Sequence, residues 1–225
     1  MMNLKTTVYF MPGLAAASSI FQYVILDPEL FDVHFLEWFA PGKGESFEAY
    51  AKKMCKQIKE KNPVLIGVSF GGMLVQEMAM HIETKKVIII SSVKLQKELP
   101  MRMKFASLTK VYKLLPTGLV NNVELLAKYA FGETVPKRLA LYEKYLSVRD
   151  KAYIDWSIEI IVNWKEKKNN FNLIHIHGDN DPVFPIKNIE NCIKVPKGTH
   201  TMIIHRYKWF NEHLPTIILK NTSSI

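Results

Sequence analysis

Cysteine is almost absent: the 225 residues hold only Cys55 and Cys192. Two thiols cannot build a disulfide framework, so the chain reads as a protein of a reducing, cytoplasmic compartment that is held together by its core. Acidic residues are also scarce, 21 against 30 Lys and Arg, for a formal charge of +9. Such an excess speaks to solubility and steering rather than to fold. No nucleic-acid-reading motif accompanies it, so no nucleic-acid partner is expected. Unbroken apolar runs of membrane length are missing. The uncharged stretch from Thr6 to Leu26 is interrupted by Pro12-Gly13 and turns polar at Ser18-Ser19, which does not suit a span. With Lys5 as the basic residue before it, it reads as a strand, a turn and a helix start rather than a secretory leader. Internal repeats and low-complexity segments are lacking as well. What remains is ordinary globular composition, 48% hydrophobic and 23% charged, enough for one domain with a sizeable core.

Short β-branched or aromatic runs alternate with segments of helical period. Strands are expected at Thr7–Met11, Val33–Trp38, Pro63–Val68, Val87–Ile90, Asn172–Ile176 and, more weakly, Cys192–Val195. Runs such as Val64-Leu65-Ile66 and Val87-Ile88-Ile89-Ile90 do not alternate, so both faces of their strands are covered. That pattern belongs to a mostly parallel sheet with helices on both faces, an α/β domain. Ser46 is placed to cap a helix carrying Phe47, Tyr50, Ala51, Met54 and Ile58 on one face. From Val93 to Lys168 there is only helical pattern, broken near Pro100, Pro116-Thr117-Gly118, Gly132 and Pro136. That segment has 15 Lys and Arg against 8 Asp and Glu, a net of +7 out of the total +9. The basic character is therefore local to a helical insertion, residues 93–168, placed within a core made of 1–92 and 169–225.

Directly after the third strand stands Gly67-Val68-Ser69-Phe70-Gly71-Gly72, followed by the apolar helical run Met73–Met78. A strand that becomes a helix within two residues pushes the serine at its apex out at the carboxyl edge of the sheet. It also aims a helix N-terminus at whatever the serine attacks. Such a serine needs a base, and the base needs an orienting acid. The fifth strand leads into His177-Gly178-Asp179-Asn180-Asp181-Pro182, and after the sixth comes Lys197-Gly198-Thr199-His200. Both follow strand ends, where open parallel sheets place ligands. Asp179 and Asp181 are both candidate acids. His200 is preferred as base over His205 and His213, which fall on the following helix. An oxyanion would need about two backbone donors: Phe70 N–H, and from the loop after the first strand Leu14 N–H. His175 and His177 share a strand face, but no third ligand motif joins them, so no metal and no cofactor are expected.

These motifs resemble the α/β-hydrolase fold family: Pro12-Gly13 after the first strand, Pro41-Gly42-Lys43-Gly44, the elbow around Ser69, His177-Gly178-x-x-Asp181-x-x-x-Pro185, and Gly198-x-His200. The resemblance implies a triad of Ser69, His200 and Asp181, the second aspartate of its motif being the acid. It also implies a helical cap for residues 93–168. Two positions depart from the family: Pro12 stands where histidine often precedes the oxyanion glycine, and Val68 where histidine often precedes the nucleophile. The expected activity is hydrolysis of a small-molecule carboxylic ester or thioester through an acyl-enzyme. The same triad also serves lactone or carbon–carbon hydrolysis, and a non-catalytic binder on this fold is the alternative from another class. Aromatic and methionine residues of the insertion (Met101, Met103, Phe105, Tyr112, Tyr129, Phe131, Tyr142, Tyr145, Trp156, Trp164) are expected mostly in the cap core, some of them lining an apolar acyl pocket. The basic insertion would either be a solvated surface or attract an anionic thioester.

Overall fold

A computed structural model describes residues 5–114, 145–168 and 170–220. Six strands, β1 (Thr6–Met11), β2 (Phe31–Phe35), β3 (Val64–Val68), β4 (Lys86–Ile90), β5 (Leu173–Gly178) and β6 (Ile193–Val195), form one sheet in the order β2-β1-β3-β4-β5-β6. Every pairing is parallel. The order places β3 and β4 at the centre, and every residue of both is buried. That is the physical reason their sequences do not alternate.

The helices are α1 (Phe47–Cys55), α2 (Phe70–Met78), α3 (Met101–Thr109), α4 (Lys151–Asn163), α5 (Met202–His205) and α6 (Tyr207–Leu219). Ser46 caps α1 as expected, its side chain accepting the Ala49 N–H at 3.1 Å. Tyr50, Ala51 and Met54 face the core, whereas Ile58 lies beyond the helix end. All nine residues of α2 are buried, so the helix that follows Ser69 is the most enclosed in the molecule's core. Among the described residues no helix is long and apolar enough to cross a membrane.

All six strands lie where the sequence reading expects them, with limits shifted by one residue at the start of β1, β3, β5 and β6 and differing more tellingly in three places. β2 runs from Phe31 to Phe35 rather than from Val33 to Trp38, because its register against β1 starts at Thr6↔Phe31. The Leu36 N–H still bonds to Phe10 O at 2.9 Å, but Trp38 has already turned away and donates its indole N–H to Gly13 O at 2.8 Å. β5 continues through His177 to Gly178, paired with Val195. β4 begins one residue early, with Lys86 only 2% exposed. Its ammonium donates to the carbonyls of Ile217 (2.6 Å), Ile218 (2.9 Å) and Lys220 (2.6 Å) at the end of α6.

Between β4 and β5 the described residues contain α3, α4 and short 3₁₀ turns, and no strand. Tyr129, Phe131 and Tyr142, with the breaks at Pro116–Gly118, Gly132 and Pro136, lie outside the described residues. Of the remaining apolar residues in this segment, Tyr145, Trp164 and Tyr112 are buried, while Met103 and Trp156 pack partly buried against the core. Met101 and Phe105 correct the expectation of a cap core: they are 76% and 61% exposed. No residue of α3 is fully buried, so among the described residues nothing encloses the outer side of this helix.

Candidate active site

Ser69 sits where β3 becomes α2, with φ 52° and ψ −118°, a conformation that a residue with a side chain adopts only when its surroundings impose it. Those surroundings are close backbone contacts. A Cβ on Gly67 would lie 2.2 Å from Gly71 O, and one on Gly71 would lie 2.3 Å from Pro12 O. The glycines therefore let β3, α2 and the loop after β1 pack together around the serine. Hydrogen bonds secure the turn: Ser69 N–H to Ile90 O at 2.9 Å, Gly72 N–H to Ser69 O at 2.9 Å, and Ser92 Oγ–H to Ser69 O at 2.7 Å.

Three candidates that are far apart in the chain meet at this apex. Ser69 Oγ lies 2.8 Å from His200 Nε2. On the far side of the ring, His200 Nδ1 is 2.9 Å from Asp181 Oδ2 and 3.2 Å from Oδ1. Since the carboxylate can only accept, Nδ1 carries the proton and Nε2 presents its lone pair to the serine hydroxyl. His200 and Asp181 are buried, at 5% and 4% exposure. Burial is the largest influence on the Asp181 carboxyl and pushes its pKa up. The charge and hydrogen bond of His200, then His177 and the Phe184 N–H, outweigh it and hold the group below the ordinary aspartate value. Asp181 Oδ1 also accepts the N–H groups of Val183 (2.8 Å) and Phe184 (3.0 Å).

The competing candidates are placed elsewhere. Asp179 is exposed. His205 is exposed at the end of α5. His213 donates from Nδ1 to Trp209 O at 2.9 Å and stacks on the Trp209 ring. His175 and His177 face one another, with 3.1 Å between His175 Nε2 and His177 Nδ1, beneath the turn that holds Asp181.

The N–H of Phe70 opens α2, where the first helical donors have no intrahelical acceptor. Neither it nor the Leu14 N–H has a hydrogen-bond partner among the described residues. Gly13 and Leu14 border the same cleft as Ser69 and His200. This cleft, about 760 Å³ including its open mouth, is walled by apolar side chains such as Leu14, Ile20, Met103, Ile161, Phe184 and Ile203. No Lys, Arg, Asp or Glu among the described residues lines it. Trp38, Ser92, His177 and the backbone of Phe184 all support the site, and the sequence reading assigned none of them to it. Only His177 offers a local signal, as the first residue of the motif that carries Asp181, while Trp38 falls inside the expected second strand.

No family model matches the chain, and no curated protein matches it. Solved structures do. An esterase from Exiguobacterium antarcticum superposes with a TM-score of 0.69 at 17% identity, covering 96% of this chain and 92% of that one. A hydrolase from Oleispira antarctica gives 0.69 at 13% identity over 96% and 92%. A bromoperoxidase from Bacillus anthracis gives 0.67 at 16% over 96% and 92%. At such identities the likeness speaks to architecture alone, and the architecture is the α/β-hydrolase fold.

Proposed function

We propose that the protein is a serine hydrolase that cleaves a carboxylic ester or thioester with an apolar acyl arm, using Ser69, His200 and Asp181. The observation that carries this reading is the unbroken hydrogen-bonded line from Ser69 Oγ through the His200 ring to the Asp181 carboxylate. His200 Nε2 takes the hydroxyl proton as Ser69 Oγ forms a bond to the substrate carbonyl carbon. The carbonyl oxygen becomes an anion facing the N–H groups of Leu14 and Phe70. As the intermediate collapses, the bond to the leaving group breaks and His200 returns the proton to that group. Water then attacks the acyl-enzyme, gives its proton to His200, and Ser69 leaves reprotonated. Asp181 holds the imidazole in the required tautomer and stabilises its transient positive charge.

The apolar cleft supports an uncharged aliphatic or aromatic acyl group. Helices α3 and α4 contribute Met103 and Ile161 to its wall, which supports reading residues 93–168 as a cap over the core. Both cysteines are free and only partly buried, in keeping with a cytoplasmic enzyme. The decisive experiment compares wild type with Ser69→Ala on a series of p-nitrophenyl esters and on a serine-directed phosphonate. Wild type should hydrolyse the esters with a chain-length optimum and be labelled at Ser69. The variant should stay folded, resist labelling and lose on the order of 10⁶ in turnover. Undiminished hydrolysis by Ser69→Ala would refute the mechanism.

A further inference from the structure

His177 is fully buried on β5, directly beneath the turn that carries Asp181, and the triad does not use it. Its Nε2 lies 2.8 Å from Phe184 O and 3.5 Å from Asp181 Oδ2. Both partners only accept, so Nε2 carries the proton. Nδ1 then has the lone pair and accepts from His175 Nε2 at 3.1 Å. Donor and acceptor roles are thus dictated along His175, His177 and Phe184. Burial drives the pKa of both buried imidazoles below the ordinary histidine value, keeping them neutral. The titratable groups facing His177 are His175 from β5, Asp181 from the turn and His200 from the loop after β6. Lys94, after β4, acts on His175 behind it.

Phe184 joins these parts. Its carbonyl accepts from His177, its N–H donates to Asp181 Oδ1, and its ring stands edge-on against the His200 imidazole with 5.5 Å between centroids. Fixing one peptide group therefore fixes the carboxylate on one side and the imidazole on the other. We propose that His177 is a positioning residue for the hydrolysis: held as its Nε2–H tautomer, it locks the Phe184 carbonyl and thereby the mutual alignment of Asp181 and His200. This role rests on the serine-hydrolase reading above. Without the donor, the turn from Asp181 to Phe184 gains freedom, and the carboxylate no longer faces His200 Nδ1 in a single orientation.

The test compares His177→Leu and His177→Gln in the full chain with p-nitrophenyl butyrate, after active sites are counted by stoichiometric phosphonate labelling. Per labelled site, His177→Leu should lose roughly 10- to 100-fold in kcat, by analogy with the loss of the outer partners that orient metal-ligating histidines. KM should change little. The acidic limb of its pH profile should move to lower pH, because a carboxylate free to turn away stabilises the imidazolium less. Glutamine places an N–H near the position of Nε2, so His177→Gln should recover most of kcat and restore the limb. A His177→Leu enzyme with wild-type kcat per labelled site and an unmoved limb would overturn the proposal, even if fewer sites were labelled. If His177→Leu does not fold, ¹⁵N-histidine NMR of the wild type decides instead. It should show His177 protonated at Nε2 and bare at Nδ1, and an Nδ1–H tautomer overturns the proposal. Wild-type protein that neither labels nor hydrolyses would be a different failure, that of the serine-hydrolase reading itself.

Discussion

The indole of Trp38 lies parallel to the ring of Phe70, with 4.9 Å between centroids and 6° between planes. The same indole donates its N–H to Gly13 O. One side chain thus bridges the two segments that present the candidate oxyanion donors. The Gly13 carbonyl and the Leu14 N–H belong to one rigid peptide unit, so anchoring the first orients the second. Trp38→Phe keeps a ring over Phe70 and removes only the donor. Steady-state kinetics should show kcat reduced about tenfold with KM nearly unchanged, a fraction of the roughly 10²–10³ that loss of an oxyanion donor itself costs.

Protonation of Asp181 should set part of the acid limit of stability. Its carboxyl is held below the ordinary value of 3.8 in the folded protein. A depressed acid contributes stability that is complete above the unfolded value and is lost as pH falls through the folded one. Denaturant unfolding of wild type should therefore be insensitive to this group at pH 5 and weaken below about pH 4. Asp181→Asn should lose that part of the slope. It should also lose about 10⁴ in kcat at neutral pH, because an amide can hold His200 in the wrong tautomer.

Lys86 is expected to matter for stability and not for chemistry. Its ammonium meets three carbonyls at the C-terminal end of α6, where helix carbonyls lack partners and positive charge is favoured. Burial, with Lys85 beside it, draws its pKa below the ordinary lysine value, so the charge is retained at some cost. Lys86→Met fills similar volume but leaves those carbonyls unpaired. It should lower the unfolding free energy by about 2–3 kcal/mol, measured by urea denaturation, as expected for charged hydrogen bonds. Catalytic constants at 25 °C should be unchanged.

Local chemistry made the sheet and the elbow readable. Val64–Val68 and Val87–Ile90 announce covered strands because nothing polar interrupts them, and the glycines around Ser69 announce a turn, although only Gly67 answers to a contact inside it while Gly71 answers to the distant Pro12. Asp181 and Asp179 are chemically alike and two positions apart, so the residues by themselves left both open and only the family resemblance pointed to Asp181. The fold separates them by burying one against His200 and exposing the other. Trp38 reads as a strand residue until Gly13 O draws its indole away, and nothing in the local pattern marks Lys86 for burial until α6 ends above it.

What the chain determines on its own is therefore the set of elements, their parallel order of use and the one turn sharp enough to expose a hydroxyl. Tertiary structure alone decides which aspartate faces the imidazole, which buried histidine steadies it, and which lysine closes a helix 131 residues away. These are pairings between groups distant in sequence, and no periodicity or local propensity encodes them. They exist only once the apolar strands have packed and brought the polar groups left inside within hydrogen-bonding distance.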